Sequence, residues 1–165
     1  YQMANIEVSQ MKGENNWALL LDPDGFITEG TGDNFFIVKN GEILTPEGRN
    51  ILRGISRSYI FDLAKQLGLP CRECNIEPYD VYEADEAFMT ATPFCILPTI
   101  SLNGIKIGKG CMGDVTKLLL SQWSINVGVD IQKQIQTYGE EVEKFNTNVP
   151  TPYQFMNSDK ESDEG

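Results

Sequence analysis

Histidine is missing altogether from this 165-residue chain. Its absence excludes Ser-His-Asp and Cys-His catalysis, imidazole-bound metals and any histidine-based pH switch. Cations are scarce: 13 Lys and Arg stand against 24 Asp and Glu, a net charge of −11. So acidic a chain is repelled by phosphate backbones and anionic lipid, which argues against nucleic acid and membrane surfaces as partners. No apolar run is long enough to span a bilayer. Nothing at the start has the pattern of a signal peptide, although the first residue is Tyr1 rather than Met, so the sequence does not speak to targeting.

Cysteine is sparse as well. Cys71 and Cys74 form a C-x-x-C pair, and Cys95 and Cys111 stand apart from it. A zinc site wants a second pair at matching spacing, which these two do not provide, so no metal is expected. The pair lies in CRECNI, which alternates like a strand. Positions three apart on a strand point to opposite faces, an awkward geometry for a disulfide. The four read as incidental thiols of a reducing compartment, the cytoplasm or an organellar matrix.

What is present is a globular composition, 41% hydrophobic and 22% charged, with enough length for one stable core. Residues 1–11 place Ala4, Val8 and Met11 on one helical stripe. The run WALLL, the turn Asp22-Pro23-Asp24-Gly25, and strands at 26–28, 35–39 and 42–44 describe an antiparallel meander. Asn40-Gly41 between the last two is a preferred hairpin turn. Ser56 then reads as the N-cap of a helix with Ile60, Leu63, Ala64 and Leu67 on its inner face and Gly68 at its end. Strands are expected at 71–76, 86–90 and 96–102, a helical turn at 80–84 and a second hairpin signal at Asn103-Gly104. A helix over 115–126 carries Leu118, Leu119 and Trp123 on one face. Strands that dominate without strictly alternating with helices predict an α+β fold with a mixed, largely antiparallel sheet and packed helices. From Gly139 acidic residues and two prolines take over, so residues 1–138 read as the domain and 139–165 as an acidic, flexible tail.

Three polar stretches interrupt this pattern. Thr28-Glu29-Gly30-Thr31-Gly32-Asp33-Asn34 sets a carboxylate among glycines, hydroxyls and amides between two apolar strands. Ile51-Leu52-Arg53-Gly54-Ile55-Ser56-Arg57 opens a helix, whose first N–H groups lack internal partners and favour anions. Met89-Thr90-Ala91-Thr92-Pro93 ends a strand in small and hydroxyl residues that could hold another edge of a phosphate. Each alone is also an ordinary turn or cap.

Taken in order, these stretches resemble the class IV, or fold-type IV, pyridoxal-phosphate aminotransferases, the group of branched-chain and D-amino-acid aminotransferases and aminodeoxychorismate lyases. The residues that carry the resemblance are LLLDPDGFITEGTGDNFFIVKNGEILTP, ILRGISR, ADEAFMTATPFCILPT and IGKGCMGDVTKLLL. It implies the larger, C-terminal domain of the D-amino-acid aminotransferase-like fold, with pyridoxal 5′-phosphate as cofactor. It also implies an amino acid, in some members branched-chain, and a 2-oxo acid as substrates, and a homodimer in full-length form.

The resemblance further implies roles. Glu29 matches the carboxylate that pairs with the cofactor's ring nitrogen, raising that nitrogen's pKa and keeping the ring an electron sink. Gly54, Ile55 and Ser56 match the phosphate-binding segment, and Leu52 the residue packed on the ring. Thr92, beside Ala91, matches a further phosphate contact. Ala91, Thr92 and Pro93 match a turn that helps hold the substrate carboxylate, and Pro93 departs from the family pattern by having no N–H to give. The cofactor-linking lysine falls upstream of Tyr1, and neither Lys12 nor Lys39 matches it. The chain therefore reads as a C-terminal portion of a two-domain transaminase, inactive by itself. The other reading is a non-catalytic relative or fragment that serves as a binding or interaction module.

Overall fold

Turn chemistry decides the spine of the structure. The computed structural model describes residues 1–13 and 15–145, with side chains described through residue 138. The chain divides into two units, Tyr1–Ile131 and Gln132–Gly165. In the first, helix α1 (Gln2–Ser9) leads to strands β1 (Leu19–Leu21), β2 (Ile27–Gly30), β3 (Asn34–Lys39) and β4 (Glu42–Pro46). These four pair in sequence order, all antiparallel, as the turn signals predict. Asn40 and Gly41 both take positive φ, 52° and 77°, the backbone that a two-residue hairpin requires.

Helix α2 (Ile55–Leu67) then crosses to β5 (Cys71–Cys74), which lies parallel to β4. The short helix α3 (Pro78–Tyr82) precedes β6 (Glu86–Ala91) and β7 (Cys95–Thr99). Strand β6 pairs antiparallel with β3 along Asn34–Val38. With β6 on one edge of β3, β2 and β4 share the other edge, one beside Asn34 and one beside Ile37 to Lys39. A two-stranded hairpin, β8 (Ser101–Leu102) and β9 (Ile105–Lys106), and helix α4 (Asp114–Val127) complete the unit. The expectation of an α+β, mainly antiparallel arrangement is met.

Alternation along β3 splits the core into two faces. Phe36 and Val38 join Phe88, Ile60, Leu63, Leu119 and Trp123, from α2, α4 and β6, in one buried cluster. Phe35 and Ile37 join Met89, Ile76, Val81 and Ile107 in the other. The C-x-x-C pair follows the same rule: Cys71 packs on the first cluster and Cys74 on the second, and both are free thiols.

Two expectations are corrected. Ser56 is not the N-cap of α2: Gly54 holds that position, with no side-chain cap, and Ser56 is the second helical residue. A Cβ at Gly54 would overlap Asn34 Oδ1, so the residue at that N-cap must be a glycine. On α4, Leu119 and Trp123 are buried as expected, but Leu118 faces solvent and Leu120 is buried in its place. Gly68 and Gly128 do close their helices in left-handed conformation, with φ of 67° and 69°. In the second unit, helix α5 (Ile131–Phe145) continues past Gly139. Residues 146–165, most of the expected acidic tail, lie outside the described residues.

The first cluster turns on Phe36 and Phe88, cross-strand partners stacked at 4.9 Å between ring centroids. Both are fully buried. Phe36→Ala is expected to cost about 3–5 kcal/mol through lost transfer energy and a cavity. Urea denaturation of the protein would show it as a lowered midpoint, and an unchanged midpoint would contradict this packing.

Candidate active site

Along one side of β3 the residues read Val38, Phe36, Asn34, so an apolar row ends in an amide. Asn34 is the cross-strand partner of Glu29 on β2 and of Thr90 on β6. Directly opposed residues of a sheet share a face, so all three side chains project at the end of the helix-covered core. All three are buried.

A buried carboxylate needs donors, and Glu29 has three. Its Oε2 accepts from Asn34 Nδ2 at 3.0 Å and from the Leu52 N–H at 2.9 Å. Its Oε1 accepts from the Tyr1 hydroxyl at 2.5 Å. The same Asn34 amide donates to Leu52 O at 2.8 Å, so two strands and the loop before α2 are tied at one point. Donation to that carboxylate, with lesser contributions from burial and the carboxylate's charge, raises the Tyr1 phenol pKa. Nothing in the sequence singles out Tyr1: it lies 28 residues from Glu29, and no local pattern marks it.

These groups line a cavity of about 250 Å³. All eight site residues expected from the sequence line it: Glu29, then Leu52, Gly54, Ile55 and Ser56, then Ala91, Thr92 and Pro93. The start of α2 opens into it through Gly54, Ile55 and Ser56. That start has no side-chain cap. The start of α4, by contrast, is closed by Glu86, whose carboxylate accepts from Val115 N, Thr116 N and Thr116 Oγ1 at 2.7–2.9 Å. Leu52 and Ile55 are 72% and 88% exposed, apolar side chains at the rim of a polar cavity. On the far side Ala91–Phe94 form a turn closed by Phe94 N–H to Ala91 O at 3.4 Å. Pro93 has no N–H, so Thr92 carries the remaining main-chain donor within that turn.

Two polar groups of the lining are buried without partners. One is the Thr90 hydroxyl and the other is the whole carboxylate of Asp33. Asp33 is only 6% exposed. Burial pushes its pKa up from 3.8 to about 6, and the Glu29 charge adds to the rise. The N–H groups of Gly30 and Gly32 draw it down somewhat, but neither reaches hydrogen-bonding geometry at an oxygen. In the sequence Asp33 is only one polar residue of a glycine-rich turn; its burial is a tertiary fact. Among the described residues no Lys or Arg lines the cavity. Lys39 is engaged with Glu83 at 3.1 Å and Asp80 at 3.6 Å on the surface.

Chemically, the cavity offers a carboxylate oxygen toward an N–H or cationic group and an uncapped helix start toward an anion. The orphaned Thr90 hydroxyl adds a further donor. Pyridoxal 5′-phosphate, with a basic ring nitrogen and a phosphate on one small ring, fits that donor and acceptor set. Among the described residues no cluster of three or more metal-ligating side chains occurs, and no helix is long and apolar enough to cross a membrane.

Comparison with known proteins agrees with this chemistry. The family described as amino-transferase class IV matches residues 1–102. The branched-chain-amino-acid aminotransferase of Pseudomonas aeruginosa is 43% identical over 109 residues, 66% of this chain and 36% of the relative. A putative branched-chain-amino-acid aminotransferase of Methanocaldococcus jannaschii is 42% identical over 118 residues, 67% of this chain and 41% of the relative. The solved branched-chain amino acid aminotransferase of Thermoproteus uzoniensis with norvaline matches with a TM-score of 0.69 at 33% identity, over 77% of this chain and 42% of that one. A further solved branched-chain amino acid aminotransferase, holding pyridoxamine 5′-phosphate, matches with the same TM-score and identity over 74% of this chain and 41% of that one. The chain thus spans less than half the length of these relatives.

Asp33 gives a signed pH test. Its folded pKa lies above the unfolded value of 3.8. Its contribution to stability is therefore fully present below about pH 4 and is lost as pH rises through about 6. The shift corresponds to at most about 3 kcal/mol. Asp33→Asn removes this dependence, so in the ligand-free protein the variant should gain stability relative to the parent between about pH 4 and 7. Denaturation midpoints at several pH values check this, and a constant difference would contradict it.

Proposed function

The chain belongs to the class IV aminotransferases, and we propose that it forms the pyridoxal 5′-phosphate-binding portion of a longer enzyme. That enzyme moves an amino group between an amino acid and a 2-oxo acid and works as a homodimer. A branched-chain amino acid is the proposed substrate, on the strength of the Pseudomonas aeruginosa and Methanocaldococcus jannaschii relatives. The observation that carries the reading is one cavity that joins the Glu29 carboxylate to the uncapped start of α2.

When bound, the cofactor supplies a protonated heteroaromatic ring that draws electrons from the substrate's α-carbon. The residues of this chain divide the remaining work. Glu29 holds a proton at the ring nitrogen. It can do so because Asn34 and Leu52 fix its Oε2, and Oε1, which accepts from the Tyr1 hydroxyl of the same lining, is the oxygen left to take the ring proton as well. Main-chain N–H groups of Ile55 and Ser56, with the helix dipole behind them, hold the phosphate. The Ser56 and Thr92 hydroxyls add donors, and Leu52 covers one face of the ring. The Thr92 N–H is the main-chain contribution of the 91–94 turn to a substrate carboxylate. Pro93 withholds a second. The cofactor-linking lysine is proposed to lie outside this chain.

Glu29→Gln tests the assignment in the full-length enzyme. An amide cannot hold the ring proton as a carboxylate does. Losing that charge-assisted hydrogen bond should lower kcat about 10- to 100-fold, with cofactor still bound. Equal kcat in parent and variant, measured at saturating cofactor, would remove Glu29 from the reaction.

A further inference from the structure

Asp33 faces the cavity and is used by nothing in the reading above. It occupies the β2–β3 hairpin, where the Gly30 N–H donates to its main-chain carbonyl at 3.1 Å. Its carboxylate folds back over Gly30 so closely that a Cβ on that glycine would overlap it. The overlap explains a glycine at position 30: the backbone there must leave room for the acid. The side chain ends in the lining of the cavity that holds Glu29, with both oxygens buried and unpartnered.

A buried carboxylate without a partner is expensive to keep, and a hairpin position could carry a neutral residue at no such cost. The charged side chain that acts on it in the lining is Glu29 from β2. It is not a cation, and among the described residues no Lys or Arg side chain lines the cavity. Two anions therefore point into one poorly solvated space, and each feels the other's field. A neutral occupant leaves that repulsion standing. An occupant with a proton on a ring nitrogen relieves it at both carboxylates at once. The proton is held by direct contact at Glu29 and through space by the second charge.

Resting on the function proposed above, we propose that Asp33 is a positioning residue of the ring-nitrogen subsite. Its unpaired carboxylate strengthens the grip of Glu29 on a protonated ring nitrogen. The class of ligand it selects is a protonated N-heteroaromatic phosphate rather than a neutral aromatic of the same shape.

The test compares two ligands that differ at one atom. Pyridoxamine 5′-phosphate and its 1-deaza analogue, with C–H in place of the ring nitrogen, are titrated into the cofactor-free full-length protein by calorimetry. The parent should prefer the nitrogen ligand. Asp33→Asn should cut the preference about tenfold, equivalent to one unit of proton affinity. Asp33→Glu, which retains the charge, should keep most of it. A purely structural role for Asp33 would weaken both ligands alike and leave the ratio unchanged, and that result overturns the proposal. If Asp33→Asn does not fold, Asp33→Ser replaces it as the neutral variant. Loss of folding in both neutral variants assigns the acid to structure and also overturns it. A parent protein that binds neither ligand instead overturns the functional reading on which the proposal rests.

Discussion

The Asn34 side-chain amide is the point on which the site depends. One N–H₂ group donates to the Glu29 carboxylate and to the Leu52 carbonyl, while the Leu52 N–H returns to the same carboxylate. Three pieces of chain distant in sequence meet there: β2, β3 and the loop that enters α2. The loop relies on this contact, since Leu52 itself is exposed and α2 begins without a side-chain cap. The contact that orients the carboxylate is therefore also the contact that places the helix start. The spacing between the two is held by hydrogen bonds from side chains anchored on two paired strands.

The close contacts around this point explain its glycines better than turn preference does. Gly54 stands where a side chain would strike Asn34, and Gly30 where one would strike Asp33. Neither glycine has a positive φ, so neither is needed for an unusual backbone conformation. They are present because polar side chains occupy the volume their own would fill. The site is dense in polar atoms at a place where the rest of the face is packed with Phe36, Phe88 and Leu119.

Local chemistry is legible in the sequence and tertiary chemistry is not. Asn40-Gly41 and the two helix-ending glycines behave as their residue types require, because their conformations depend on themselves and one neighbour. The meander follows from turns of that kind. The parallel pairing of β5 with β4 and the insertion of β6 beside β3 have no such local signature. Ser56 reads wrongly as a cap because serine is a good cap in isolation; the helix begins two residues earlier, at a glycine whose place beside Asn34 leaves no room for a side chain. Leu118 reads wrongly as buried because a run of three leucines fits more than one helical face, and only packing chooses between them. The motif residues Glu29, Gly54 and Thr92 are legible through their resemblance to a family, and they share one cavity. Tyr1 and Asp33 escape a reading of the sequence, since partnering over 28 residues and burial without partner leave no trace in composition.

Charge is distributed unevenly over the interior. Arg57, also buried, is neutralised: it donates to Pro46 O at 2.9 Å and Glu73 at 2.8 Å and lies over the Phe61 ring. That contact holds the Glu73 carboxyl below its usual pKa, as expected for a paired ion. Glu86 is likewise satisfied, by the start of α4. Where the fold needs a buried charge for structure, it supplies the partner itself. The lining of the cavity breaks that rule at Asp33, and Thr90 joins it as a hydroxyl with nothing to bond. Arg57 Nε and Thr99 Oγ1 are also buried without a partner elsewhere among the described residues, but Asp33 is the buried acid left with neither oxygen bonded. A molecule that brings a positive charge and hydrogen-bonding groups of its own meets the polar demand left at Asp33 and Thr90.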